Sequence, residues 1–306
     1  MRQDNSLTLE QVFVLYGQTL YIEGKSHYTI ERFYCKHITN FAKFVGASIP
    51  INQISTNLLR NFLSELASGR ITNHPGGPAR NHAYHRTFRA FFNWMVREGY
   101  LEKSPMTNIR PPKLPKMMIV VFANEDIATL LRCCNGRSFI DVRNKAIVLV
   151  LLDSGLRESE FLAMKPEDIE MDNGEIKVWG KGSKERVVRI GSKARKALLR
   201  YWSVRGSEKG ALWLSADGKP ITDSGLYKVF QRLGKAAGIH SVRCSPHTCR
   251  HTWATRLLDG GANIRDLQTL GGWATLEMVL RYAQKRDSAV ALRAHEKYSP
   301  MDRLLR

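Results

Sequence analysis

Residues 245–255 read Ser245-Pro246-His247-Thr248-Cys249-Arg250-His251-Thr252-Trp253-Ala254-Thr255. Ser245 before Pro246 is an N-cap and first-turn pair, since a serine oxygen takes up an orphan amide and proline's fixed φ suits the first helical position. A helix is therefore expected over 246–258. On it His247 and Arg250 stand three apart and point to one side, so an imidazole and a guanidinium can meet one phosphate together. A competing reading makes Cys244, His247, Cys249 and His251 metal ligands, His247 and His251 being four apart. Against it, Cys249 points off that face, the glutamate of an HExxH site is missing, and an arginine beside the site repels a divalent cation. His251 reads more simply as a satisfied core histidine.

Three other stretches carry side chains of matching chemistry. Asp153-Ser154-Gly155-Leu156-Arg157-Glu158-Ser159-Glu160 follows a strongly apolar helix expected over 142–152. Arg157 thus stands near the core and needs a partner. Glu160 is either simply that partner, or an orienting carboxylate that leaves Arg157 free to fork onto phosphate oxygens. Lys181 lies in Gly180-Lys181-Gly182-Ser183-Lys184, where glycines on both sides let the backbone approach a ligand. The loop lacks Walker A spacing, which argues against ATP. A lysine held among other cations has a lowered pKa and becomes a competent general acid, with Lys184 and Arg186 as ordinary phosphate contacts.

Tyr282, in Leu276-Glu277-Met278-Val279-Leu280-Arg281-Tyr282-Ala283, reads by itself as a core residue. Beside two arginines and a histidine, its phenol, with a reference pKa of about 10, gains the help it needs to act as a nucleophile. Arg157, Lys181, His247, Arg250 and Tyr282 together supply two phosphate forks, two proton-handling groups and an oxygen nucleophile. That is the set needed to break and rejoin a phosphodiester without a metal.

The second half of the chain is otherwise mainly helical. Alternation from Ile169 to Ile190 predicts a small antiparallel sheet, with Asp172-Asn173-Gly174 as the first turn and 180–184 as the second. Further helices are expected at about 124–134, 192–202, 223–237, 264–270 and 276–283, and a final amphipathic stretch from about 288 to 305. The first hundred residues read as four or five helices. Thr8 with Gln11 is a possible capping box, followed by Val12, Leu15, Tyr16 and Leu20 at helical spacing. Ile30, Phe33, Phe41 and Phe44 form a second stripe, and Leu58, Leu59, Phe62, Leu63 and Leu66 a third that stops at Gly69. On a fourth helix Tyr84, Phe88, Phe91, Phe92 and Met95 line one face, while Arg86, Arg89 and Arg97 mark another, either a solvated surface or a face that tracks phosphates.

Between the halves, Asn108 to Met118 (NIRPPKLPKMM) carries three prolines and three basic residues and cannot be helical throughout. The expected organisation is a helical domain over 1–107, a basic Pro-rich linker over 108–121 containing Lys113, and a second domain over 122–306. With 306 residues, a formal charge of +19 and a pI near 9.9, the chain calls for a polyanion that releases counterions on binding, nucleic acid before a membrane surface. Its longest apolar runs are too short to span a bilayer. A polar start without a secretory h-region, and five cysteines with no CxxC pair, place the expected protein in a reducing cytoplasm with its DNA.

Taken in order, GLRESEF with Arg157, GKGSKER with Lys181, SPHTCRHTWAT with His247 and Arg250, LGGW with Trp273, and Tyr282 nine residues later resemble the tyrosine recombinase family, the phage integrases and Xer-like enzymes. The resemblance covers roughly 120–285, and it implies a mainly α fold with a small antiparallel β-sheet in the catalytic domain. It also implies a two-domain clamp on DNA, with 1–107 as a SAM-like core-binding domain. Tyr282 would attack the scissile phosphate to give a 3′-phosphotyrosine and a free 5′-hydroxyl, and Arg157 and Arg250 would hold the non-bridging oxygens. Lys181 would protonate the leaving oxygen, and His247 would assist proton transfer at the tyrosine.

Trp273 stands where many members carry histidine. Its indole N–H donates but cannot shuttle a proton, so a bracing role is the alternative. Cys249 replaces a larger aliphatic residue, which suggests altered packing. No cofactor, ATP or Mg²⁺ is implied. The partners implied are double-stranded DNA and a homotetramer on two sites, the tail from about 288 docking on a neighbouring protomer or on its own domain; no accessory DNA-bending or directionality factor is named. The LGGW form leans towards integration and excision of a phage or mobile element, with Xer-type dimer resolution as the alternative. A monomeric type IB topoisomerase and a silent DNA-binding protein are the rivals, but the latter has no reason to keep all five side chains.

Overall fold

The computed structural model describes residues 7–115, 119–180, 185–206 and 210–283, together with His295. Lys181, Lys184 and, apart from His295, the expected tail segment lie outside the described residues. The chain divides into two compact units, Met1–Met117 and Met118–Arg306.

In the first unit α1 (Leu9–Ile22) begins at Thr8, whose hydroxyl accepts from the Gln11 N–H while the Gln11 side chain accepts from the Thr8 N–H at 2.9 Å. This is the reciprocal cap expected from the sequence. The next helix departs from the expected stripe. It runs as α2 (His27–Thr29), a π-helical segment Ile30–Cys35, and α3 (Lys36–Val45). The wider π turns shift the helical phase, so the inward face of α3 is Ile38, Phe41, Ala42 and Val45, while Phe33 and Phe44 are exposed. Helix α4 (Thr56–Ser68) buries Leu59, Phe62 and Leu66. Helix α5 (Pro78–Arg97) starts on a proline and buries Tyr84, Phe88, Phe91, Phe92 and Met95. The Phe41, Phe62 and Phe88 rings meet at 5.2–5.5 Å between centroids, which makes an aromatic core worth more than its buried area alone. Arg86 and Arg89 are exposed on the opposite side of α5. Arg97 is not free with them, since it pairs with Glu23 and Glu98, each at 3.2 Å.

The second unit opens with α6 (Asn124–Arg132), α7 (Phe139–Ser154) and the short α8 (Glu158–Leu162), which the apolar pattern of the sequence was too brief to mark. A three-stranded antiparallel sheet follows in the order β1 (Ile169–Glu170), β2 (Glu175–Trp179), β3 (Glu185–Arg189). Then come α9 (Ser192–Arg205), α10 (Asp223–Ala236), α11 (Pro246–Asp259), α12 (Ile264–Gly271) and α13 (Glu277–Ala283).

Helix α7 is the centre of the unit. Val142, Ala146, Ile147, Val148, Val150 and Leu151 are all buried, as a helix packed on several sides must be. Helix α11 joins two cores: Cys249 belongs to the cluster built on α7, whereas Trp253, Ala254 and Leu258 pack with Leu267, Trp273, Val279 and Tyr282 from α12, the turn after it, and α13. All five cysteines are free, Cys134, Cys244 and Cys249 being buried and Cys35 and Cys133 half-buried. Among the described residues no helix is long and apolar enough to cross a membrane.

Candidate active site

Helix α7 is ended by Gly155 at φ +61°, where a Cβ would stand 2.1 Å from the Trp253 ring. A left-handed, side-chain-free residue is needed there, and the turn it makes sets Arg157 at the N-cap of α8. The Arg157 N–H donates to Glu160 Oε2 at 2.8 Å, and its Nη1 donates to Oε1 at 2.7 Å. Glu160 therefore both partners and orients Arg157, whose side chain keeps 37 % of its surface exposed.

Arg186 turns out to be placed differently from the open phosphate contact expected of it. Its Nη1 and Nη2 donate to the two Glu160 oxygens at 2.8 and 2.7 Å, and its Nε to the Leu270 carbonyl at 2.9 Å. The alternation of β3 puts Arg186 on the inward side with Val188, so its guanidinium serves as an internal brace. Burial alone would raise the Glu160 carboxyl. The bonds from Arg186 and from the Arg157 N–H outweigh it and hold the group down at about 2.

Arg250 is buried on α11, where Nη1 donates to the Gly155 carbonyl at 2.5 Å and Nη2 to the Gly271 carbonyl at 2.6 Å. Burial, then the charge of Arg157, lowers this guanidinium to about 10. Arg157 Nη2 in turn donates to the Gly272 carbonyl at 2.5 Å. The consecutive carbonyls of Leu270, Gly271 and Gly272 thus each receive a different arginine. A helix end leaves such carbonyls orphaned and partially negative; here three cations from distant stretches satisfy them and are gathered by them. The two glycines make this possible, because a Cβ on Gly271 would lie 2.0 Å from the Trp273 ring, and Gly272 has φ +61°.

Trp273 is buried, with the Arg250 Cζ 4.3 Å from its ring centroid, the Trp253 ring at 6.1 Å and the Tyr282 ring at 5.4 Å. Tyr282 itself is 7 % exposed. Burial raises its phenol, and the charges of Arg281, Arg250 and Arg157 pull the other way, so both guanidiniums of the expected pair act on the expected nucleophile. His247 stands in the first turn of α11, its imidazolium disfavoured by burial and by Arg250 and Arg281. The histidine on the phenol, however, is His251, whose Nδ1 lies 2.9 Å from the Tyr282 hydroxyl. The sequence alone favours a satisfied core histidine at His251 over a metal ligand. Its spacing from His247 was the available signal, and the seat of α13 against α11 was not legible beside it. Lys113, like Arg86 and Arg89, is exposed, but in the first unit.

The phage integrase family profile matches residues 121–289, more than half of the chain. The protein belongs to this family, the tyrosine recombinases. Members are enzymes of DNA strand cleavage and rejoining, and this one is a recombinase of that kind. It is 35 % identical over 207 residues to tyrosine recombinase XerC of Halalkalibacterium halodurans, covering 64 % of this chain and 68 % of the relative. To XerC of Thermodesulfovibrio yellowstonii it is 28 % identical over 291 residues, covering 92 % and 93 %. Among solved structures, the XerA recombinase is similar at TM-score 0.52 and 25 % identity, over 95 % of this chain and 98 % of that one. The Tn1549 transposon integrase in complex with transposon right end DNA shares the fold at TM-score 0.73 and 17 % identity, over 96 % and 100 %.

Proposed function

We propose that this tyrosine recombinase acts at specific sites on duplex DNA, with Tyr282 as nucleophile and a 3′-phosphotyrosine as the intermediate. The Tyr282 oxygen attacks the scissile phosphorus, the phosphorus–O5′ bond breaks, and the reverse attack by a 5′-hydroxyl reseals the strand. The observation that carries this reading is the convergence of Arg157 and Arg250 on one three-carbonyl turn, with their charges acting on the Tyr282 phenol. Two fixed guanidiniums stabilise charge on non-bridging oxygens as it grows, a service otherwise performed by a metal ion. The bond energy is kept in the protein–DNA ester, so resealing needs no ATP.

Lys181 is proposed as the acid for the leaving oxygen, and Trp273 as a brace whose ring holds Arg250 and Tyr282. Glu160 and Arg186 position Arg157 from behind. Arg86, Arg89, Lys113 and Lys184 are proposed backbone contacts, with the first unit as the core-binding half of a clamp and a homotetramer as the assembly on two sites, in the cytoplasm where the DNA lies. Integration and excision of a mobile element is the proposed task. Chromosome- or plasmid-dimer resolution is the second reading, favoured by the XerC relatives matched over nearly their full length.

The test is a nicked suicide substrate carrying the repeats that flank the gene. The wild-type chain is expected to form a covalent adduct, whereas Tyr282→Phe keeps DNA affinity and forms none. An adduct on the Phe variant would require another nucleophile and end this assignment.

A further inference from the structure

The reaction proposed above needs a group to take the phenolic proton, and the ring in reach of that proton is not the one the sequence motif nominates. We infer that His251 is the proton acceptor for Tyr282, with its Nδ1 receiving the phenolic hydrogen as the tyrosine oxygen bonds to phosphorus. The inference rests on the reading of Tyr282 as nucleophile and adds the identity of its base.

The geometry is specific. His251 sits one turn after His247 on α11, and its Nδ1 is 2.9 Å from the Tyr282 hydroxyl across the α11–α13 contact. In the inferred step the tyrosine donates, which requires the His251 tautomer that carries its hydrogen on Nε2. The His247 ring stands 4.0 Å from that of His251, nearly edge to face at 69°.

The surroundings keep His251 unprotonated and ready. The charged and titratable groups acting on it are His247 and Arg250 of its own helix and Arg281 of α13; after burial itself, they bring its pKa down to about 4. A base this weak takes a proton only as the phenol becomes acidic through bonding to phosphorus, and gives it back readily when the strand is resealed. The balance is simple. The phenolic hydrogen goes to Nδ1, the tyrosine oxygen–phosphorus bond forms, the phosphorus–O5′ bond breaks, and the leaving oxygen is protonated by the acid proposed above. Resealing runs the same transfers backwards.

The test uses the full-length chain on the nicked substrate, with the rate of adduct formation followed in single turnover from pH 5.5 to 9.5. The variants are His251→Asn, which keeps an acceptor near the Nδ1 position but cannot take a proton, and His251→Ala, with and without added imidazole. Both are expected to bind DNA as the wild type does and to form adduct roughly 10²-fold more slowly near neutral pH, within the usual range for losing a general base. In the variants the rate should climb tenfold per pH unit towards the phenol's own ionisation, where the wild type levels off, and imidazole should restore part of the His251→Ala rate. Equal rates and profiles in His251→Asn and wild type would overturn the inference while leaving Tyr282 as nucleophile. A slower variant with a wild-type profile and no imidazole rescue would also overturn it, by showing a packing role. A wild-type chain with no adduct at Tyr282 removes the proposed reaction and this inference with it.

Discussion

Replacing Glu160 with glutamine probes the centre of the arginine cluster. The carboxylate is almost fully buried, takes a two-pronged bond from Arg186, and is bonded by both the backbone and the side chain of Arg157. Its pKa is about 2 in the fold against 4.5 as the reference. That gap corresponds to about 3 kcal/mol of preferential stabilisation of the ionised form at neutral pH. Because the folded value is the depressed one, the contribution is fully present above about 4.5 and is lost as pH falls through about 2.

Glu160→Gln should therefore be less stable than wild type by about 3 kcal/mol at pH 7, with the difference shrinking to about half of that at pH 3. Urea unfolding followed by tryptophan fluorescence reads mainly the second unit, since Trp179, Trp202, Trp213, Trp253 and Trp273 lie there and only Trp94 lies in the first. Adduct formation should fall as well, Arg157 having lost the carboxylate that aims it. A difference below about 0.5 kcal/mol, or one unchanged between pH 7 and pH 3, would refute the claim that ionised Glu160 holds the two arginines.

Two further outcomes are expected. Trp273→Phe should keep an aromatic face over Arg250 and beside Tyr282, lose about 1–2 kcal/mol of stability through the smaller ring, and retain adduct formation within about tenfold; a folded Phe variant without activity would show that the indole N–H, and not the ring, is used. Joint replacement of Arg86 and Arg89 by alanine should weaken DNA binding about equally across sequences and reduce the slope of log affinity against log salt by about two, measured by titration at several salt concentrations. An unchanged slope would return those arginines to the plain solvated face of α5.

Several features were open to reading because they are local. The Thr8–Gln11 cap, the aromatic stripe of α5, the first turn of the small sheet and the Ser245-Pro246 start of α11 depend on neighbours within one or two turns, where residue type decides backbone geometry directly. The class of chemistry was likewise legible, because two arginines, a lysine, a histidine and a tyrosine at such spacing have few other uses. The π segment at Ile30–Cys35 was not, since nothing in a helical stripe marks the place where its phase slips.

The identity of the side chains, and with it the class of chemistry, belongs to the sequence alone. Which of them face one another was decided only by packing. Arg186 became a brace because the pleat of β3 turned it inward onto Glu160; Arg157, Arg186 and Arg250 met because the end of α12 presented three unsatisfied carbonyls; and His251, not His247, touched the phenol because α13 lies against that turn of α11. Hydrogen bonds act over about 3 Å, and residues more than a hundred positions apart come within that distance only when the core beneath them has closed.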